Sequence, residues 1–263
     1  MEATVRGNGT PAVVLLHGQP GTGGDWHWVA PLLEDRYTLV IPDRPGYGRT
    51  GGQATGFAGN ARATVDLLDR LQLERAVLVA HSWAGGVALA AAISHPERVA
   101  GLVLASSVGP GERFGWDDRV LAAPLVGEAI AAATIGGLGL VLGRRRVQSA
   151  AARRLDGRAH EAVQALTRLT RGGSRVWRSF VTEQRAMLDE LEGLGEGLAA
   201  IHAPTVVLHG RSDRLVPPAV AESLAAAIPD AELRVVPDAG HLLPHDRPQD
   251  VAAAVDRVAG STG

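Results

Sequence analysis

Three side chains of complementary chemistry stand far apart in this sequence, each just after an apolar run: Ser82, Asp213 and His241. A serine hydroxyl is a weak nucleophile until a base takes its proton, an imidazole is such a base, and a carboxylate can orient the imidazole and balance its charge. Ser82 lies in AVLVAHSWAGGVALAAA, where an apolar, partly β-branched run meets a helix of small residues through a very tight turn. A turn of that kind holds one side chain out at the end of a sheet. Ala80 and Ala84, two positions to either side, are small enough to let strand and helix approach closely. Asp213 sits in HGRSDRLVPP and His241 in PDAGHLLPHDRP, both following short apolar segments. Loops that follow the strands of a parallel sheet emerge on one edge, so three residues distant in sequence can meet there. Singly, each has an ordinary structural explanation, because aspartates cap turns, histidines bond loops and serines near glycine serve the backbone. Together they point to nucleophilic catalysis.

The elements that must position them follow from hydrophobic period and turn chemistry. Strands are predicted at residues 12–16, 37–41, 76–80, 99–105, 204–208 and 231–236, and helices at 55–71, directly after Ser82, from Pro217 and Pro218 onward, and at 249–258. Asp25 is expected to cap a short helix reaching about Leu33. From Ser106 to about Ala200 no strand pattern occurs, and helices are predicted at 116–123, 125–142, 145–155, 160–169 and 174–191. The expected fold class is therefore α/β: a mostly parallel central sheet flanked by helices, with an inserted helical cap. Residues 1–106 and 201–263 form the two parts of the core domain in this reading, and residues 107–200 the cap or lid.

Bulk properties narrow the function. A chain of 263 residues, 46% hydrophobic, can bury one sizeable core, and a net charge of -2 gives no general attraction to nucleic acid. Cysteine is absent, which excludes disulfides, thiol catalysis and thiolate metal sites. No cofactor and no metal are expected; His17 and His209, each before a glycine at a strand end, read as loop-bonding groups. The first apolar run is too short for a signal peptide's core, so a cytoplasmic location is expected. Residues 124–146 approach the length and low charge of a membrane span, but Glu128 and five glycines interrupt them. No stable membrane span is expected there. A buried helix pair lining an apolar pocket is the preferred reading, with transient lipid contact the intermediate one. The sequence carries no sign of oligomeric state.

Four stretches carry a resemblance: HGQPG at 17–21, DRPGYGRT at 43–50, the Ser82 turn, and the loops bearing Asp213 and His241. In that order they resemble the α/β-hydrolase superfamily, in its serine-nucleophile branch. The usual G-x-S-x-G pattern has alanine at both glycine positions here, with Gly85 and Gly86 following. The resemblance implies Ser82 as nucleophile, His241 as base and Asp213 as the acid that orients it. It also implies an oxyanion hole made by the backbone N–H groups of Gln19 and Trp83. A phosphate-binding turn at 17–26 is discounted, since neither G-K-[ST] nor G-x-G-x-x-G occurs there. Asp43 and Arg44 are read as loop-fixing groups, His81 as packing, and Trp26, Trp28 and Leu242 as candidates to line a substrate pocket. The expected activity is carboxylesterase-like (EC 3.1.1), on a small or medium apolar ester, thioester or lactone. The alternatives keep the same three residues for C–C bond hydrolysis, acyl transfer, lyase or perhydrolase chemistry, or use the pocket only to bind a ligand.

Overall fold

The computed structural model describes residues 1–137, 141, 144 and 174–261. Seven strands form one sheet: β1 Ala3–Arg6, β2 Ala12–Leu16, β3 Thr38–Pro42, β4 Ala76–His81, β5 Val99–Ala105, β6 Thr205–Gly210 and β7 Glu232–Val236. Their order is β1-β3-β2-β4-β5-β6-β7, with β1 antiparallel to β3 and the other pairs parallel. Strands β2, β4 and β5 are buried along their whole length, which is why they read as unbroken apolar runs. The four residues of β1 are only half-buried or exposed, and the sequence carried no strand pattern for them.

Helices cover both faces. On one, α1 (Phe57–Arg70) and α2 (Ala84–Ser94) pack on Val14, Leu16, Leu78, Ala80, Leu102 and Leu104. On the other, Val13, Leu15, Val77, Val79, Val103 and Leu208 share a second core with the C-terminal helix. Strand alternation divides these residues between the two faces, and the parallel run of β2 to β7 brings the C-terminal ends of those strands to one edge.

Between β5 and β6 the described residues contain no strand. They form α3 (Trp116–Ala122), α4 (Val126–Ala131) with a π-helical turn Ala132–Gly136 after it, and α5 (Ser174–Glu190). The predicted helices at 145–155 and 160–169 lie outside the described residues. The predicted helix 125–142 is helical from Val126 to Gly136, with a π-turn in its second half, and its start is not buried. Leu125 turns the chain in a left-handed conformation (φ 65) and is 83% exposed, with Val126 also exposed. No single described helix is long and apolar enough to cross a membrane; Trp116–Ala122 and Val126–Gly136 reach that length only as a pair bent by 93°.

Between β6 and β7 lies α6 (Pro218–Ala227), and after β7 come the short α7 (Leu243–Asp246) and α8 (Pro248–Ala259), the helix of the second core.

Candidate active site

The turn after β4 is built by close packing. Ser82 adopts φ 56, a left-handed conformation uncommon for a residue with a side chain. Its N–H donates to the carbonyl of Ala105, and its own carbonyl accepts from Gly85 N–H at 2.9 Å and Val108 N–H at 3.2 Å. Gly85 has no alternative: a Cβ there would lie 1.6 Å from Ser107 Oγ. The tight approach that Ala80 and Ala84 permit is therefore completed one residue beyond the usual glycine position.

The structure brings Ser82, His241 and Asp213 into one hydrogen-bonded line. Ser82 Oγ lies 2.8 Å from His241 Nε2, and His241 Nδ1 lies 2.8 Å from Asp213 Oδ2. Ser82 and Asp213 are buried, and the His241 side chain is nearly so. The other oxygen of Asp213 accepts the N–H groups of Leu215 (2.9 Å) and Val216 (3.0 Å). Burial by itself would raise the Asp213 carboxyl. The hydrogen bond and charge of His241, with the Val216 and Leu215 N–H groups, outweigh it and hold the acid ionised below its ordinary range. With an anion on Nδ1, the imidazole keeps its proton on that nitrogen and leaves Nε2 to accept from Ser82.

Three further histidines are bonded to backbone. His81 Nε2 donates to the carbonyl of His241 at 2.9 Å, and burial followed by the nearby His241 lowers it to about 4. His209 Nε2 donates to Val216 O at 3.0 Å, tying β6 to the Asp213 loop. His17 accepts the Arg44 N–H on Nε2 (2.9 Å), so its proton is on Nδ1, where it donates to Gly18 O (2.9 Å). Among the described residues no cluster of three or more His, Asp or Glu side chains could hold a metal ion.

Gly18 lies against the turn, since a Cβ on it would be 3.1 Å from Ser82 Cβ. Gln19 is the next residue in the chain. The Gln19 side chain turns away and donates to Phe180 O at 2.7 Å. Trp83 is fully buried, its ring centroid 4.5 Å from that of Phe57 at a tilt of 39°, with Nε1 donating to Glu183 O at 3.1 Å.

The pocket candidates divide. Trp26 does not line a pocket: it is 1% exposed and belongs to the second core with Leu15, Leu39 and Leu243. The cause is the cap. Thr22, not Asp25, starts the 3₁₀ turn Gly23–Trp26, and Asp25 closes a capping box on the Thr22 N–H, which rolls Trp26 inward. A second short 3₁₀ turn, Ala30–Leu32, replaces the rest of the expected helix. Trp28 is half-buried and lies edge-on to His245, with centroids 6.5 Å apart. Leu242, next to His241, is 53% exposed.

Asp43 and Arg44 fix loops as expected, each with its own partners. Asp43 accepts the N–H groups of Gly23 and Arg49, both at 2.8 Å. Arg44 is fully buried and paired with Glu183 of α5, which also accepts the Tyr47 hydroxyl at 2.7 Å. Sequence reasoning passed over Glu183. Its signal was helical: Val176, Ser179, Glu183 and Met187 lie on one buried face of α5, and a carboxylate on such a face requires a partner.

A family model described as alpha/beta hydrolase fold matches residues 11–248. A dihydrolipoyllysine-residue acetyltransferase component of an acetoin cleaving system from Cupriavidus necator is 30% identical over 261 residues, covering 97% of this chain and 65% of that protein. A 2-hydroxy-6-oxononadienedioate/2-hydroxy-6-oxononatrienedioate hydrolase from Burkholderia vietnamiensis is 31% identical over 247 residues, covering 89% of this chain and 82% of the relative. Among solved structures, a thermophilic esterase from Thermogutta terrifontis superposes with a TM-score of 0.78 at 23% identity, covering 99% of this chain and 93% of that one. With its mostly parallel seven-stranded sheet and a match over most of its length, this protein belongs to the alpha/beta hydrolase family.

Proposed function

We propose that this protein is a serine hydrolase of the carboxylesterase kind, acting on a small or medium apolar ester, thioester or lactone through an acyl-enzyme. The observation that carries the reading is the unbroken line from Ser82 Oγ through His241 to Asp213, with both hydrogen bonds at 2.8 Å.

In this mechanism Ser82 Oγ attacks the acyl carbon as His241 Nε2 takes its proton. Asp213 holds the imidazole's orientation and stabilises its positive charge. The Gln19 and Trp83 N–H groups receive the oxygen that becomes negative, a contribution of about 3 kcal/mol per donor in comparable sites. His241 then returns the proton to the leaving group, the bond to the acyl carbon breaks, and water attacks the acyl-enzyme by the reverse proton path. Residues 107–200 act as a cap over the site and select the acyl group, as their position between β5 and β6 supports. No cofactor takes part.

A second reading keeps the residues and changes the bond. Relatives named for hydrolysis of 2-hydroxy-6-oxo dienoates, 31% identical to this chain, favour C–C bond hydrolysis over the remaining alternatives.

The test is intact-protein mass after exposure to a fluorophosphonate, run beside Ser82→Ala, followed by chromogenic esters of increasing acyl length. A single adduct absent from the variant, with ester turnover lost in step, is the expected result. An adduct that persists in Ser82→Ala, or turnover unchanged by it, would remove Ser82 from the role. Product analysis on a dienoate substrate separates C–C from C–O cleavage.

A further inference from the structure

The Arg44 guanidinium is fully buried and has five polar neighbours. Nε donates to His17 O at 2.8 Å and Nη2 to Gly18 O at 2.9 Å. The two Nη atoms meet both carboxylate oxygens of Glu183, Nη2 to Oε2 at 3.3 Å, and Nη1 lies 3.5 Å from Asn60 Oδ1. Its face lies over the Trp83 ring, 4.5 Å from the centroid.

The Gly18 carbonyl is the important partner. It belongs to the same trans peptide as the Gln19 N–H, so the two groups point in opposite directions across one rigid plane. A cation bonded to the carbonyl oxygen draws electron density through the amide and makes the N–H at the other end a stronger, better-aimed donor. The second peptide, Ser82–Trp83, is held in the same manner at its carbonyl by Gly85 and Val108 N–H groups. The difference is that the Gly18–Gln19 peptide is held by a charge, and that charge is balanced by a residue of α5. Further bonds seat this stretch of α5 on the core loops: Gln19 to Phe180 O, Ser179 to Gly46 O at 2.8 Å, and Trp83 Nε1 to Glu183 O.

We infer that Arg44 and Glu183 are positioning residues for the oxyanion hole: Arg44 polarises and aims the Gln19 N–H through the Gly18 carbonyl, and Glu183 makes that buried cation tenable by docking α5. The inference rests on the serine-hydrolase reading for its catalytic meaning. Without Glu183 the guanidinium would be buried and uncompensated, so the donor is complete only when α5 is seated.

A single Glu183→Gln strands a buried charge and could simply unfold the protein. The decisive variant is the double Arg44→Met, Glu183→Leu, which replaces the pair with apolar side chains of similar size, a change that buried ion pairs often tolerate. Two readouts are taken on it: the Gln19 backbone amide resonance in the substrate-free protein, and kcat and KM on the best ester. The expected result is a melting temperature near that of the parent, an upfield move of the Gln19 amide proton, and a kcat lower by roughly 10- to 100-fold with KM within about 2-fold. That is less than the roughly 10²–10³-fold loss of a whole donor, because His17 Nδ1 still bonds the Gly18 carbonyl. A Gln19 amide that does not move overturns the inference whatever happens to kcat, and a moved amide with parental kcat overturns its catalytic meaning. If the parent protein takes no fluorophosphonate and turns over no ester, the serine-hydrolase reading fails alone, and the amide resonance still decides whether Arg44 polarises the peptide.

Discussion

The ring of His81 holds the backbone of His241: its Nε2 lies 2.9 Å from the His241 carbonyl, with the two rings 5.1 Å apart. The residue before Ser82 thereby anchors the residue that bonds Ser82, and one tight turn sets the positions of both.

That contact has a pH signature. Burial and the neighbouring His241 lower His81 from 6.5 to about 4 in the folded protein. Between those values the unfolded chain binds a proton that the folded chain does not. The stabilisation is therefore complete above pH 6.5 and is lost as pH falls toward 4, by up to about 3 kcal/mol at roughly 1.4 kcal/mol per pH unit. Urea denaturation from pH 7 to 4 should show a shallower acid loss in His81→Gln than in the parent. Equally steep losses in both proteins would mean that His81 is not a source of acid sensitivity.

Glu112 should act with the opposite sign. Burial first, and then the charge of Asp118, raise its carboxyl to about 7, and its Oε2 is buried without a hydrogen-bond partner. The folded chain keeps a proton between pH 4.5 and 7 that the unfolded chain has released, so stability falls as pH rises through that window. Glu112→Gln, which is neutral throughout, should be more stable than the parent above pH 7, by roughly 1–2 kcal/mol once its partial exposure is allowed for. Melting temperatures that track each other from pH 5 to 8 would show that Glu112 is ionised in the folded state.

The Ser82 turn should tolerate no side chain at position 85. A methyl group on Gly85 would stand 1.6 Å from Ser107 Oγ and 2.6 Å from Ser107 Cβ, and Ser107 is itself buried. Gly85→Ala should cost about 1–3 kcal/mol, and adding Ser107→Gly should recover part of it because the two positions share one contact. Denaturation midpoints of the two single variants and the double variant measure the coupling. A Gly85→Ala protein as stable as the parent would show that the turn can open at little cost.

Much of the fold was legible because buried parallel strands are unbroken apolar runs: β2 and β5 lie at their predicted residues, and β3, β4, β6 and β7 within two residues of theirs. β1 was not legible, since an exposed edge strand of four residues needs no apolar alternation and exists only by pairing with β3. The region 23–32 misled for a related reason. Its 3₁₀ turns do not follow the 3.6-residue period, so the buried face of Trp26 could not be read from spacing.

What the sequence determined by itself is local: which segments are strands, which turns are tight, and which loops carry Ser82, Asp213, His241 and the HGQPG stretch. Only the tertiary structure decided what those groups touch. Ser82 and His241 are 159 residues apart and Arg44 and Glu183 are 139 apart, and no periodicity within a segment encodes a contact between segments. A hydrogen bond forms within a few tenths of an ångström, and that placement comes from how whole strands and helices pack. The same packing set the His17 tautomer, turned Trp26 into the core, and joined a loop arginine to a carboxylate on a distant helix.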